Sequence, residues 1–372
     1  MSARLVVMLM LLHDVMAPRP ARAQSLFEVR PLMATAQLYD SNLFFTSTDP
    51  QADFIMRISP GVLSEYRTPR LALSGRYTLD VERFAEHPEL SGIAARQQGA
   101  ILLASHATPR VALAADAEYS TTHAPSELNA ETGLILSRAK AERVATHAAI
   151  TRHLDPATTA TMDYQFTQYQ VQGGSAILAH VATIGGAHRV SSRDTVSVDY
   201  RLHQYAVGTS SPTSHELRVG WTRAITERSE VSIDGGPRVT NGRPASELSA
   251  SVRYRLRPGD LSLAYVRTQT TAIGLTGIAD LQKISATAAW NPRRTLRMQI
   301  SPAVYRTTQG ELQASVYRLS VDLARQITNV LSIHAVVNAD LQHGTWSPAL
   351  ATGTIPHQDV MIRLVVEPAR AR

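Results

Sequence analysis

Thirteen histidines and thirty-one acidic residues are the groups through which this chain could do acid, base or metal chemistry. Catalysis would need a nucleophile, a base and an orienting group within hydrogen-bond reach of one another. Asp199 and His203 share one face of a segment, but four residues at about 3.3 Å each hold them about 13 Å apart. They cannot hydrogen-bond directly. His106, His123, His153, His180, His188, His215 and His343 are scattered, with no His-Glu-x-x-His pair for a metal and no Gly-x-Ser-x-Gly turn for a nucleophile. Gly173-Gly174 and Gly185-Gly186 neither open a helix nor bring Lys with Ser or Thr, so they cradle no phosphate. The chain has no cysteine, which removes thiol nucleophiles, thiolate zinc sites and disulfides. The residues read as no enzyme, no cofactor and no metal.

What remains is charge in rows. Arg57, Arg76, Asp80, Glu82, Asp163, Asp199, Arg201, Arg253, Arg255, Arg318, Asp322 and Asp340 all fall on the polar face of segments that alternate at period two. Leu71, Leu73, Gly75, Tyr77, Leu79 and Val81 oppose Ser74, Arg76, Thr78, Asp80 and Glu82. Val196, Val198, Tyr200 and Leu202 oppose Ser197, Asp199, Arg201 and His203, and Leu248 to Leu256 oppose Ser249 to Arg255 in the same way. Such segments are strands with one apolar and one polar face.

Two kinds of connection take turns between them. Tight ones lie at Thr68-Pro69-Arg70, Thr108-Pro109-Arg110, Asp155-Pro156, Ser192-Arg193-Asp194, Thr226-Glu227-Arg228, Pro258-Gly259-Asp260, Asn291-Pro292-Arg293 and Gln326-Ile327-Thr328. Longer ones, rich in Ser, Thr, Gly and Pro, lie at 40–52, 122–139 and 342–356. Together they imply about 18 strands, with 16 the alternative, and an even number puts both ends of the strand array on the tight-turn side. Pro60, Pro237 and Pro302 fall inside strands and lack a ladder N–H, so bulges or shortened pairing are expected there. The start of the sixth strand is open, because Ser137 to Arg143 either extends the loop or begins the strand.

Ten residues per strand, tilted about 40°, cover roughly 25 Å, the height of a lipid-facing apolar band. Soluble strands average about half that length. Tyrosines at 77, 119, 164, 200, 254, 265, 305 and 317 are expected to form an interfacial girdle. A bilayer offers no water to an unpaired edge, so the expected fold is all-β, a closed antiparallel transmembrane barrel. No stretch beyond Gln24 reaches the roughly 20 apolar residues of a membrane helix.

Residues 1–23 read as a cleaved export signal: Arg4, the apolar run Leu5–Leu12, and Ala21-Arg22-Ala23 before Gln24. Residues 24–372 then form a single barrel domain. The net charge of +6 falls to about +4 once Arg4, Asp14, Arg19 and Arg22 are removed. Lysine occurs only at 140 and 283, and the arginines form no cluster suited to nucleic acid.

Tyr39-Asp40-Ser41-Asn42-Leu43-Phe44 and Asp53-Phe54-Ile55-Met56-Arg57-Ile58-Ser59-Pro60-Gly61 resemble the opening hairpin of outer-membrane β-barrel porins found among exopolysaccharide-associated proteins. The resemblance implies a Gram-negative outer-membrane barrel with a role in passage or secretion of polysaccharide, and it implies no catalytic residue. Many such barrels end on an aromatic residue read by the assembly machinery, whereas this chain ends Val365-Val366-Glu367-Pro368-Ala369-Arg370-Ala371-Arg372.

The expectation is thus a porin-like channel for passive passage of polar solutes, set in outer-membrane lipid and lipopolysaccharide and delivered by the barrel-assembly machinery. The twelve charged residues would line its lumen. A loop folded inward would plug it, with 122–139 and 342–356 the candidates. A structural or adhesive barrel is the alternative, and an outer-membrane hydrolase the weaker one.

Overall fold

The tight turns are built by a repeated local device. In the computed structural model, which describes residues 26–271, 273, 277–345 and 353–368, a side-chain oxygen at the start of the turn accepts two backbone N–H groups. Thr226 Oγ1 takes those of Arg228 and Ser229 at 3.1 and 3.0 Å, and Ser191 Oγ those of Arg193 and Asp194 at 3.1 and 2.9 Å. Asp155, Thr68 and Thr328 repeat the pattern. The short side chain satisfies donors that a two-strand reversal leaves unpaired.

These turns and the longer loops join β1 (Leu26–Asp40), β2 (Asp53–Arg67), β3 (Leu71–Phe84), β4 (Gly92–Thr108), β5 (Val111–Thr122), β6 (Ala141–His153), β7 (Thr158–Val171), β8 (Ile177–Arg189) and β9 (Asp194–Val207). The second half comprises β10 (Thr213–Ala224), β11 (Ser229–Thr240), β12 (Arg243–Leu256), β13 (Gly259–Thr270), β14 (Ala279–Arg293), β15 (Leu296–Gln309), β16 (Leu312–Gln326), β17 (Leu331–Thr345) and β18 (Gly353–Val366). Each strand pairs antiparallel with its sequence neighbours, and β18 returns to β1 from Met33↔Val366 to Asp40↔Asp359. The sheet is closed. The shortest strands have 12 residues, which at about 3.3 Å and a tilt near 40° cover roughly 30 Å.

The three prolines shorten pairing without shifting it. The β2–β3 ladder skips Ser59 and Pro60 and resumes at Gly61↔Thr78 in the same register. The β10–β11 and β14–β15 ladders skip residues opposite Pro237 and at Pro302 in the same way. Register shifts fall elsewhere, at Asp80/Val81, His106/Thr108 and Trp290/Arg293. Ser137 to Lys140 belongs to the loop, since β6 begins at Ala141.

Alternation sorts the faces. Phe54, Met56, Ile58 and Val62 of β2 point outward and are exposed, as are Leu261 and Leu263 of β13 and Ile362 and Leu364 of β18. Leu73, Tyr200 and Val252 stand on this outer face. So do seven of the eight tyrosines expected in a girdle, but Tyr305 does not: it faces inward, 4% exposed, beneath a loop. Tyr77, Tyr164 and Tyr200 stand at mid-strand instead of at strand ends. Their hydroxyls meet side chains of the next strand, Gln97, His180 and His215, at 2.9, 2.8 and 2.7 Å, and so need no interfacial water. Near the tight turns, Trp221, Tyr254 and Trp290 are exposed on the outside. The export signal at 1–23, the segment 346–352 of one plug candidate and the terminal Ala369–Arg372 lie outside the described residues.

Candidate functional site

Residues paired directly across neighbouring strands share a face, so the register can be followed round the inside of the barrel. Arg57 pairs with Glu82 across β2–β3, and its guanidinium lies 2.6 Å from Glu82 and 3.6 Å from Asp80. Ala36 sits between Arg57 on one side and Arg363 on the other, which leaves room for both long side chains. Arg76 pairs with Leu63 in the same wall.

A second charged group runs over β9 to β12 and reaches β14. Arg201 pairs with Glu216 and Asp199 with Arg218, and Arg218 reaches Asp234 on β11. Arg238 contacts Glu247 and donates to Asp280 at 2.7 Å, while His203 Nε2 lies 3.1 Å from Glu216. Gly185 opposite Asp199 has no Cβ because the Asp199 carboxylate occupies that space.

A third group closes the ring near the seam. Arg318 donates to Asp340 at 2.7 Å, His357 lies 3.1 Å from Asp40, and Asn338 donates to Asp359 at 3.0 Å. Asp163 touches His147, which also meets Asp116 at 2.8 Å. Asp322 stands between Gln299 and Val336 on the inner face. Arg253 and Arg255, opposite Ser262 and Asp260, face the tight-turn mouth and are exposed. The register therefore places all twelve sequence-selected charges on the inward face. It adds Arg218, Glu216, Arg238, Glu247, His357, Asp359 and Arg363. Their period-two spacing was readable, but the glycines and prolines in and around these strands blurred the count.

The inner wall changes character near the long loops, where inward positions become apolar because a loop lies on them. The segment 123–140 leaves β5, passes through a short 3-10 turn at Pro125–Leu128, and crosses to the far wall. Leu134, fully buried, packs on Leu281, Tyr305 and Val316 of β14 to β16. Ile135 packs with Ile355 of β18 and Phe45 of the β1–β2 loop. Leu128 and Leu136 pack against Tyr169, Ile177, Val207 and Ile273. Of the two plug candidates, 122–139 is the one seen to fold inward.

Polar contacts fix the loop's position. Gln342 accepts the Ile135 N–H at 2.7 Å and donates to its carbonyl at 3.1 Å. Asn129 Oδ1 accepts the Ile273 N–H at 3.0 Å, and Thr270 donates to Glu131 at 3.2 Å. Gly133 adopts φ +66°, and a Cβ there would stand 2.8 Å from the Tyr305 ring, so both backbone and space require glycine. Arg138 lies 5.0 Å over the Phe84 ring, and burial draws its pKa below the usual arginine value against the opposing pull of Glu82, Asp40 and Glu127.

The residues of the two resemblance blocks turn out to hold structure together. Asn42 is 1% exposed and donates to the carbonyls of Thr46 and Pro356, tying the β1–β2 loop to β18. The Asp53 carboxylate accepts the N–H groups of Ala85, Glu86 and His87.

Among the described residues, no histidine ring hydrogen-bonds both a Ser or Thr hydroxyl and a carboxylate, although Thr158 stands between the Asp155 carboxylate and the His188 ring. Ser332–His334, Thr158–His188, Thr159–His153 and Thr354–His343 have no carboxylate hydrogen-bonded to the ring, His87, His147 and His357 have carboxylates and no hydroxyl, and His203 lies between Glu216 and the phenol of Tyr205. No cluster of His, Asp and Glu among those residues is arranged to hold a metal.

A closed barrel with an apolar outer face and a charged inner face is built for a bilayer. The protein is a closed transmembrane β-barrel. No family model matches the chain, and no curated relative does. Among solved structures, it is similar to OpdQ of Pseudomonas aeruginosa at 10% identity, covering 92% of this chain and 97% of that one with a TM-score of 0.49. It is similar to OprD of the same organism at 10% identity, covering 95% and 98%, TM-score 0.48. An anion-selective porin from Comamonas acidovorans is similar at 8% identity over 93% and 100%, TM-score 0.39. The fold stands on the closed register and the sorted faces, not on these likenesses.

Proposed function

We propose that the barrel is a porin-like channel for passive passage of hydrated polar solutes, with segment 123–140 setting its narrowest section. The observation that carries this reading is the charged inner wall. Arginines and carboxylates occupy all three sectors of the circumference, mostly buried and paired with one another, while Arg253 and Arg255 stand exposed at the tight-turn mouth, and such groups are costly unless a partner or water reaches them. Acidic and basic groups facing one another across water set a transverse field that favours dipolar or hydrated solutes. Outer-membrane lipid and lipopolysaccharide are its surroundings in this reading, and the barrel-assembly machinery its transient partner.

Conductance across a planar bilayer tests it. Purified, refolded protein should give stepwise ion currents. Replacing Arg253 and Arg255 with Ser removes two positive charges from the tight-turn mouth, so the reversal potential should move toward cation preference while the barrel stays folded. A reversal potential unmoved by that change removes the wall from the selectivity argument.

A second reading is a closed scaffold, favoured by the three apolar clusters that hold the crossing loop. It requires a silent barrel in the same experiment. The finer proposal, support of exopolysaccharide secretion, rests on the resemblance of the Tyr39–Phe44 and Asp53–Gly61 blocks. Deleting the gene should then diminish surface polysaccharide, whereas normal polysaccharide with altered small-solute uptake would keep the channel and remove the secretion role.

A further inference from the structure

On the outer face of β14 to β17, beside the tight turns, two rows of residues run across four strands. The upper row is Trp290, Met298, Leu323 and Ala335, and the lower is Arg293, Leu296, Arg325 and Ile333. Between them lies a groove of about 480 Å³ with an apolar floor of Leu296, Met298, Leu323, Ile333 and Ala335 and two arginines at its edge. Arg293 reaches this face only because of the bulge in the β14–β15 ladder. With unbroken alternation from Trp290, Pro292 would face outward and Arg293 the lumen; the one-residue shift before Arg293↔Leu296 turns the guanidinium out.

A larger recess of about 700 Å³ on the water side shares Arg293, Thr295, Leu296 and Arg325 with the groove. It also holds Arg294 and Arg297, with Glu367 as its acidic residue. Glu367 is held by Arg30, 3.1 Å away. Arg293, Arg294 and Arg325 form no ion pair among the described residues and are exposed. An apolar groove at membrane depth thus opens, past two unpaired arginines, onto a cationic recess at the aqueous edge.

We propose that this groove binds an anionic glycerophospholipid of the inner leaflet, its phosphate on Arg293 and Arg325 and one acyl chain along Met298, Leu323 and Ala335. Guanidinium groups give paired, charge-assisted hydrogen bonds to phosphate, and the apolar floor selects a lipid over a free anion. The tight turns, with the ends of β1 and β18, mark the periplasmic side, where glycerophospholipid forms the leaflet.

Native mass spectrometry of the whole barrel released from mixed phosphatidylglycerol and phosphatidylcholine vesicles tests this. The unaltered protein should retain one phosphatidylglycerol in preference to phosphatidylcholine. The double variant Arg293→Gln, Arg325→Gln should lose that preference by roughly tenfold or more, as expected for two arginines near an anionic headgroup. Leu323→Trp, which fills the groove and leaves both arginines, should also reduce retention, and Arg253→Gln on the lumen face should not. Equal retention of the two lipids by the unaltered protein overturns the proposal, whether or not the variants fold. So does loss of phosphatidylglycerol to millimolar inorganic phosphate with Leu323→Trp unaffected, which would make the site one for a free anion.

Discussion

Replacing residues 125–138 with a short Gly-Ser linker is expected to raise single-channel conductance severalfold while leaving a barrel that still shifts on heating in detergent gels. The segment contributes no strand to the ladder, so its removal costs no inter-strand hydrogen bond. What it does occupy is the mouth of an 18-stranded barrel, a size that encloses an aqueous path when nothing crosses it. Gln342→Leu is the milder form. It removes both hydrogen bonds to Ile135, each worth about 1 kcal/mol, and leaves the apolar contacts in place. Recordings of that variant should show brief excursions to the larger conductance. Unchanged conductance in both variants would mean that the segment does not limit the path.

The second large effect separates adjacent residues of one strand. Leu263 points outward and is 53% exposed, whereas Ala264 points inward between Ser251 and Ser285. Leu263→Arg should destabilise the barrel by roughly 2–4 kcal/mol, the cost of an arginine on the lipid face near the middle of the bilayer. Ala264→Arg meets two serines and water, and should leave stability within about 1 kcal/mol while shifting ion selectivity. Urea unfolding in lipid vesicles measures both. Equal costs at the two positions would sink the assignment of faces.

Much of this architecture was legible in the chain because lipid imposes a simple rule: one face apolar, one face polar, reversal every ten to fifteen residues. Thr226-Glu227-Arg228 could be read as a turn because its first side chain caps the reversal, and Arg201 as inward because Val198, Tyr200 and Leu202 alternate around it. Tyr305 could not be read. Its place beneath Leu134 depends on a contact with a segment some 170 positions away, which no period along β15 records. The same limit hid the loop's crossing. Leu281, Val316 and Ile355 look like lapses in alternation until the hydrophobic segment that covers them is found. Arg293 was hidden differently, by one inserted residue that reverses the face of everything beyond it.

The joint between the first and last strands has a bearing on how the ring comes to exist. Every other ladder joins consecutive strands, so it forms between segments already tethered by a short connection. The β1–β18 ladder is flanked by Arg30 with Glu367, 337 positions apart, and by Asn42 with Pro356. Polymer statistics make that distance less forbidding than it looks. Because closure entropy grows with the logarithm of length, joining ends some 340 residues apart costs only about 2 kcal/mol more than closing a hairpin of about 30. Eight facing residue pairs and a tie at each margin are enough to offset that. The penalty is one of time, since this encounter must wait for all the others. A chain whose neighbours zip first and whose ends meet last never has to find its most distant contact by searching; the preceding seventeen strands deliver it.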